Sequence, residues 1–369
     1  MSSVELEIQL LAMTVAVACA LPGVFLVLRR MALMSDAISH TVLLGIVIGF
    51  FLVQDLTSPL LILGAAVAGV LTVALVEIVR GTGLVPEDTA IGLVFPALFS
   101  IAVILISRFA GDVHLDTDAV LLGEIALAPF RRLEIFGIDA GPRALWTMLG
   151  ILILNAAFLF VFYKELKLST FDASLSAALG FSPVLLHYMF MGIVSITAVG
   201  AFDSVGSVLV VAFMIVPPAA AYLLSDRLGR VIGLSAGIGA LSAVLGYWIA
   251  RWLDASIAGA MAGAAGMIFL VVFLVAPERG LVALARRRAR QRVEFARTML
   301  AIHLLHHEGT PEAEEECRVD HLSRHLRWTT DQADRIVRSA ERAGFVTVSD
   351  KRLHLTAGGR MEARRAMVR

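Results

Sequence analysis

Asp36 and His40 fall within MALMSDAISHTVLLGIVIGFFLV, an otherwise apolar stretch long enough to cross a bilayer. Ionisable side chains in such a segment are costly and by default mark a route for ions or protons. Four residues apart on a helix, a carboxylate and an imidazole share one face. That ligand pair suits Mn²⁺, Zn²⁺ or Fe²⁺. The same two groups also suit a buried Asp–His hydrogen bond that ties two helices together. Spacing alone therefore leaves two readings, a metal station and a structural clasp.

The elements that must position this pair are membrane spans. Of 369 residues, 58% are hydrophobic and 17% charged, and the mean hydropathy is +0.83. Apolar runs of about 20 residues at this composition belong to a polytopic membrane protein. Eight runs are drawn at 6–28, 33–53, 59–79, 90–108, 143–163, 184–202, 205–224 and 231–252, and a further one at 257–276 makes nine. Arg29–Arg30, Arg80, Lys164–Lys167, Arg227–Arg230 and the cluster from Arg279 to Arg292 gather on one side if the N-terminus lies outside and the C-terminus in the cytoplasm. An excess of Lys and Arg marks cytoplasmic loops. Arg108, Arg131, Arg132 and Arg251 are exceptions to that pattern. The first ten residues carry Glu5 and Glu7 but no Lys or Arg, which reads as a retained span rather than a signal peptide.

The net charge of zero hides an asymmetry. Residues 281–369 hold 18 Lys+Arg against 12 Asp+Glu, whereas residues 1–280 hold 13 against 19. Three segments follow: a membrane domain over 1–280, a basic juxtamembrane linker over 281–292, and a polar domain over 293–369. Cys19 and Cys317 are too few for a disulfide framework or a cysteine-rich zinc cluster. LLGEIALAPF is too short to cross and reads as a re-entrant or interfacial piece. The preceding Asp112, His114, Asp116 and Asp118 read as solvated loop charge, with attraction of cations as the alternative.

ALMSDAISHTVLLGIVIG, PEDTAIGLVFPALFSIAVILIS, DAVLLGEIALA, FDASLSAALG and VGSVLVVAFMIVPPAAAYLLSDR occur in this order. Together, over roughly residues 10–280, they resemble the integral-membrane permeases of ABC importers for zinc, manganese and iron. The resemblance implies two permease subunits, the same or paralogous, driven by two cytoplasmic ATPase subunits and supplied by an extracytoplasmic metal-binding protein. It implies that Asp36 and His40 line the pathway, and that the FDASLSAALG segment docks on the ATPase, with Phe171, Asp172, Leu175, Ala178, Leu179 and Gly180 as its contacts. The setting is the bacterial inner membrane and its lipid. No cofactor is expected to stay bound; the ion is cargo, and manganese is favoured. No G-x-x-x-x-G-K-[ST] loop occurs, so ATP hydrolysis belongs to another subunit and the permease is not an enzyme.

Asp203 has three readings: a third ligand, an entrance charge, or the N-cap of the following span. The cap is preferred because Asp followed by Ser suits it. Pro217–Pro218 reads as a kink and a gate element. Glu87 and Asp88 open their helix and satisfy its dipole.

The tail reads as helix (EFARTMLAIHLLHHEG), helix (CRVDHLSRHLRW), helix (TTDQADRIVRSAERAGFV, capped by Thr329 or Thr330), two short strands and a last helix. It resembles the winged-helix DNA-binding portion of metal-dependent repressors. The overall expectation is thus an all-α polytopic membrane protein with a small α+β winged-helix domain. For the tail, Arg335, Arg338 and Arg342 suit DNA. His303, His306 and His307, or Cys317, His321 and His325, suit a metal. A docking and dimerisation module is favoured over both. The rival to transport is a membrane-anchored, metal-responsive transcriptional regulator.

Overall fold

The computed structural model describes residues 3–54, 58–109, 125–135, 138–319, 321–322, 328–349 and 352–367. The chain divides into two units, one ending at Arg279 and the other beginning at Gly280.

The first unit contains nine helices long and apolar enough to cross a membrane among the described residues. They are α1 (Ser3–Leu28), α2 (Ala32–Val53), α3 (Pro59–Gly81), α4 (Glu87–Phe109), α5 (Arg143–Val161), α8 (Pro183–Val205), α9 (Ser207–Leu224), α10 (Leu228–Leu253) and α11 (Ile257–Val275). Two short helices, α6 (Tyr163–Phe171) and α7 (Ala173–Ala178), join α5 to α8. Ser58 before Pro59, Ser182 before Pro183, and Ser256 each cap the next helix by accepting from its backbone N–H. Serine followed by proline at the first helical position is a strong start signal.

Helix α1 is the hub. It packs on α2, α5, α8, α9 and α10, and Leu11, Val15, Cys19, Phe25 and Leu26 are wholly buried. A helix apolar all round belongs in such a place. The peripheral helices instead turn Val67, Ile78, Leu93, Ile104, Ile153 and Phe160 outward, as a lipid-facing surface requires.

Small residues set the closest helix contacts. A Cβ on Gly45 of α2 would lie 2.2 Å from the carbonyl oxygen of Gly64 on α3, and one on Gly64 would lie 2.5 Å from that of Gly45. The two backbones touch, as membrane helices packed through small residues do. Two hydrogen bonds reinforce the contact region: Thr72 donates to Thr41 at 2.8 Å, and Ser195 of α8 donates to the Ala66 carbonyl at 3.1 Å. Asn155, fully buried on α5, donates to the Ala18 carbonyl and to Thr197. These bonds remove the penalty of leaving polar groups unpaired in a dry interior.

Several expectations change. Ile125–Phe130 forms a 3-10 turn that runs into an antiparallel hairpin, β1 (Arg132–Ile135) with β2 (Ile138–Pro142). Asp112, His114, Asp116 and Asp118 lie outside the described residues. Asp203 does not cap the next span. It sits in the last turn of α8, and the chain reverses at Gly206 with φ +79°, so Gly206 occupies the cap position. Residues 281–292 are not a separate linker but the first half of a 27-residue helix, α12 (Leu281–His307). LVALARRRARQR is built from strong helix formers, which explains its continuity.

In the second unit, α12 packs on α14 (Thr330–Arg342), on β4 (Arg352–Leu355) and on α15 (Ala357–Met367). β4 pairs antiparallel with β3 (Val346–Ser349). Leu300, Leu304, Leu322, Val337, Val346 and Leu353 form the core. Thr329 and Gln332 close a capping box at the start of α14. A four-residue helix, α13 (Ala313–Glu316), follows α12. Half of the helix expected over Cys317–Trp328 falls outside the described residues.

Gly64→Ala should lower the melting temperature of the detergent-solubilised chain, because overpacking a backbone contact costs about 1–3 kcal/mol. Gly92→Ala on α4, where a Cβ meets nothing within 4 Å, should leave stability unchanged or raise it by about 0.5–1 kcal/mol. Differential scanning calorimetry on both variants checks the contrast.

Candidate metal pathway and coupling surface

Asp36 and His40 occupy the second and third turns of α2, close to the α1–α2 connection. His40 Nε2 stands 3.5 Å from Asp36 Oδ1. That separation is long for a strong hydrogen bond. It is close to the roughly 3–3.4 Å between donors that share one ion at bonds of about 2.1 Å. Both residues belong to one helix, so their contact does not tie two helices together. The neighbours are aromatic: His40 stacks on Phe95 (centroids 5.7 Å, 27°) and meets Phe99 edge-on (5.9 Å, 77°), both from α4. These rings hold the imidazole without competing for its nitrogens. The side chains are 42% exposed for Asp36 and 28% for His40, so the pair is half-open.

Asp203 does not join it. That residue is exposed, about 30 Å of helical rise from the start of α8. Among the described residues, no ligand group of three includes Asp36, His40 or Asp203.

The FDASLSAALG segment starts on the last residue of α6 and forms one short helix, α7, ahead of Gly180. Asp172 ends α6 and caps α7, its Oδ1 accepting from Leu175 N at 2.8 Å. Gly180, at φ +88°, turns the chain towards Pro183. Such a φ strains any residue with a Cβ. Phe171 (65%), Leu175 and Leu179 (61%) are exposed at four-residue intervals with Phe181 beside them, and Asp172, Ala178 and Gly180 are exposed as well. Leu166 is fully buried and anchors α6 beneath this apolar row. Clustered exposed apolar residues in a polar connection mark a contact surface.

Arg29, in the α1–α2 turn, joins the two features. Its Nε donates to Thr170 Oγ1 and its Nη2 to Ser169 Oγ, both at 3.0 Å, and its guanidinium lies 5.0 Å from the Phe190 ring centroid. Burial lowers its pKa to about 10, so it remains a cation at neutral pH. Sequence reading counted Arg29 only as a charge marking a loop, and it gave Phe95 and Phe99 no role. Their partners lie far away in sequence, and the one available hint was the i, i+4 spacing of the two phenylalanines.

In the tail, the structure brings His303 and His307 together with Glu316 and leaves His306 exposed. Arg335, Arg338 and Arg342 line the exposed side of α14, interspersed with exposed Asp331, Asp334 and Glu341. His325 lies outside the described residues.

Residues 6–276 match the family described as the ABC 3 transport family. The chain is 49% identical over 354 residues to the zinc transport system membrane protein TroD of Treponema pallidum (strain Nichols), covering 96% of each chain. It is 50% identical over 268 residues to the manganese transport system membrane protein MntD of Bacillus subtilis (strain 168), covering 73% of this chain and 90% of that one. Among solved structures, PsaBC from Streptococcus pneumoniae in complex with Fab superposes with a TM-score of 0.64 at 29% identity, covering 77% of this chain and 96% of that one. The TroD match is too long to stop at the membrane unit, so it includes tail sequence.

Arg29→Gln should loosen α6 and α7 from the membrane unit. Hydrogen exchange across residues 163–180 should quicken by the equivalent of about 1.5–3 kcal/mol, the worth of hydrogen bonds to a charged group. Exchange within α1 should stay unchanged.

Proposed function

The chain belongs to the ABC 3 transport family, and from that premise we propose that it is the permease subunit of an ATP-binding-cassette importer carrying a divalent transition metal into the cytoplasm. The observation that carries this reading is the same-face carboxylate–imidazole pair of α2, with donors 3.5 Å apart inside an apolar span. The cargo class accords with relatives named for zinc and manganese transport. Manganese is the favoured ion because the tail resembles repressors that respond to manganese or iron; the carboxylate–imidazole pair itself accepts Mn²⁺, Zn²⁺ and Fe²⁺ alike.

Two donors do not close a coordination sphere. Water and a second permease subunit, the same or paralogous, complete the station formed by Asp36 and His40. A weak, open site lets an ion leave as well as enter. Asp203 acts as an entrance charge at the opposite end of α8, not as a third ligand.

The N-terminus lies outside and the C-terminus in the cytoplasm of a bacterial inner membrane. Two of the arginines that break the positive-inside pattern are held by carboxylates. Arg132 pairs with Glu7 at 2.8 Å and with Asp139 at 2.5 Å, and Arg251 pairs with Glu5. The hairpin end then faces the extracytoplasmic metal-binding protein. The opposite end presents Phe171, Leu175 and Leu179 to the cytoplasmic ATPase, with Asp172, Ala178 and Gly180 shaping that surface. Closure of the ATPase reaches α2 through Arg29, seven residues before Asp36.

For the tail we favour a winged-helix-type module that mediates protein contacts. Exposed acids alternate with Arg335 and Arg338 along α14, and a DNA-reading helix needs a positive face. Removal of residues 293–369 separates transport from the regulator reading. Lost uptake indicates assembly, and retained uptake with altered transcription supports regulation.

Asp36→Asn and His40→Ala should each reduce uptake of radioactive manganese about tenfold or more, because even a lost outer-shell partner of a metal ligand costs 10–100-fold. The measurement requires equal amounts of each variant in the membrane. Full uptake by both variants would remove the pair from the pathway.

A further inference from the structure

A second group of metal donors lies outside the membrane unit. His303 and His307 stand one turn apart on α12, with ring centroids 4.8 Å apart. Glu316 closes α13 against them, and one ligand atom from each of the three residues lies within 4.8 Å of the others. His303 Nε2 is 3.9 Å from Glu316 Oε2 and 3.3 Å from the Glu316 backbone carbonyl. His321 adds a third imidazole, its Nδ1 3.3 Å from the same Glu316 Oε2. Two or three imidazoles with one carboxylate are a ligand set for Zn²⁺, Fe²⁺ or Mn²⁺.

Burial separates this group from the pair in α2. The side chains of His303, His307, Glu316 and His321 are only 10%, 16%, 13% and 17% exposed. Donors so enclosed retain an ion, whereas the half-open Asp36–His40 pair lets one pass. Donors that share one ion at bonds near 2.1 Å stand about 3.4 Å apart, and His321 Nδ1 and Glu316 Oε2 already stand 3.3 Å apart. Glu312, Glu314, Glu315 and Glu316 also crowd five positions of the chain. An ion there offsets their mutual repulsion and fastens this stretch to α12.

We propose that His303, His307 and Glu316, with His321 as a fourth donor, form a divalent transition-metal site in the tail that is separate from the transport pathway and holds an ion already delivered to the cytoplasm. The residues come from α12, α13 and the segment after α13, so binding pins the corner between α12 and α14. The site does not depend on the pathway assignment, because none of its donors lies in the membrane unit.

The test uses purified full-length chain carrying Asp36→Asn and His40→Ala, dialysed against Zn²⁺ or Mn²⁺ alone and assayed for bound metal by mass spectrometry. One ion per chain should remain. Adding Glu316→Gln or His307→Ala should weaken its affinity by about tenfold or more, while His354→Ala, which changes an exposed histidine of β4 outside the ligand group, should not. Glu316→Gln preserves side-chain size, and a melting curve for each variant shows that it is folded. No bound ion in the parent, or equal affinity in folded Glu316→Gln and His307→Ala variants, overturns the proposal. If the pathway reading alone is wrong, uptake survives Asp36→Asn while the tail result is unaffected.

Discussion

A guanidinium taken partly out of water must find donors' partners and a polarisable surface, and the α1–α2 turn meets that requirement at Arg29. Two hydroxyls of α6 accept its hydrogen bonds and the Phe190 ring underlies its face. The interaction therefore joins three pieces of chain: the hub helix α1, the connection α6–α7 and the start of α8. Because α2 begins three residues after Arg29, a displacement of α6 bears directly on the turn that leads to Asp36 and His40. The Gly45–Gly64 contact then constrains how α2 responds. With the two backbones touching, α2 has little room to approach α3, and a force at the turn moves the pair together or shifts α2 against α4. The aromatic clamp of Phe95 and Phe99 is on that second side.

The two candidate ion sites solve opposite problems with similar donors. Transport needs a low barrier to departure, which two donors and partial exposure supply. A site that retains metal needs a longer residence, which more donors and greater enclosure supply. The contrast follows from where the chain can recruit ligands. On α2 the flanking surfaces are apolar because they lie in a span. In the tail, a polar connection rich in glutamate folds back over a helix that carries histidines at i and i+4.

What was legible in the sequence followed the range of each interaction. The spans could be read because hydropathy is local, and Asp36 with His40 could be read because i, i+4 spacing is a property of one helix. The hairpin after the 3-10 turn was missed because its strands are only four and five residues long, too short for the Arg-Leu-Glu-Ile alternation to stand out beside LLGEIALAPF. Asp203 was misread as a cap because Asp followed by Ser is a good local signal. Gly206, three residues later, accepts a φ that lets α8 continue through the acid and reverse beyond it. Residues 281–292 looked like a linker by charge, yet Leu, Ala and Arg favour helix whatever their net charge. In the tail, His303 and His307 were found by spacing, but the third donor was sought at His306. His306 is exposed with its ring against the edge of His307 rather than facing Glu316 among the grouped donors, and Glu316 entered only through the fold of the chain.

Charge at the two ends of α1 links this local chemistry to orientation. Glu5 and Glu7 engage Arg251 and Arg132 at one end, whereas Arg29 binds only neutral groups at the other. A carboxylate partner cancels much of an arginine's attraction to an anionic cytoplasmic leaflet, while a hydroxyl partner leaves it in place. Arg132 and Arg251, two of the four arginines that contradict a positive-inside count, are thus paired with carboxylates, and the arginine beside the exposed Phe171–Leu179 surface keeps its charge. The same guanidinium that holds α6 in place thus stands as a cation beside the exposed apolar row of Phe171, Leu175 and Leu179.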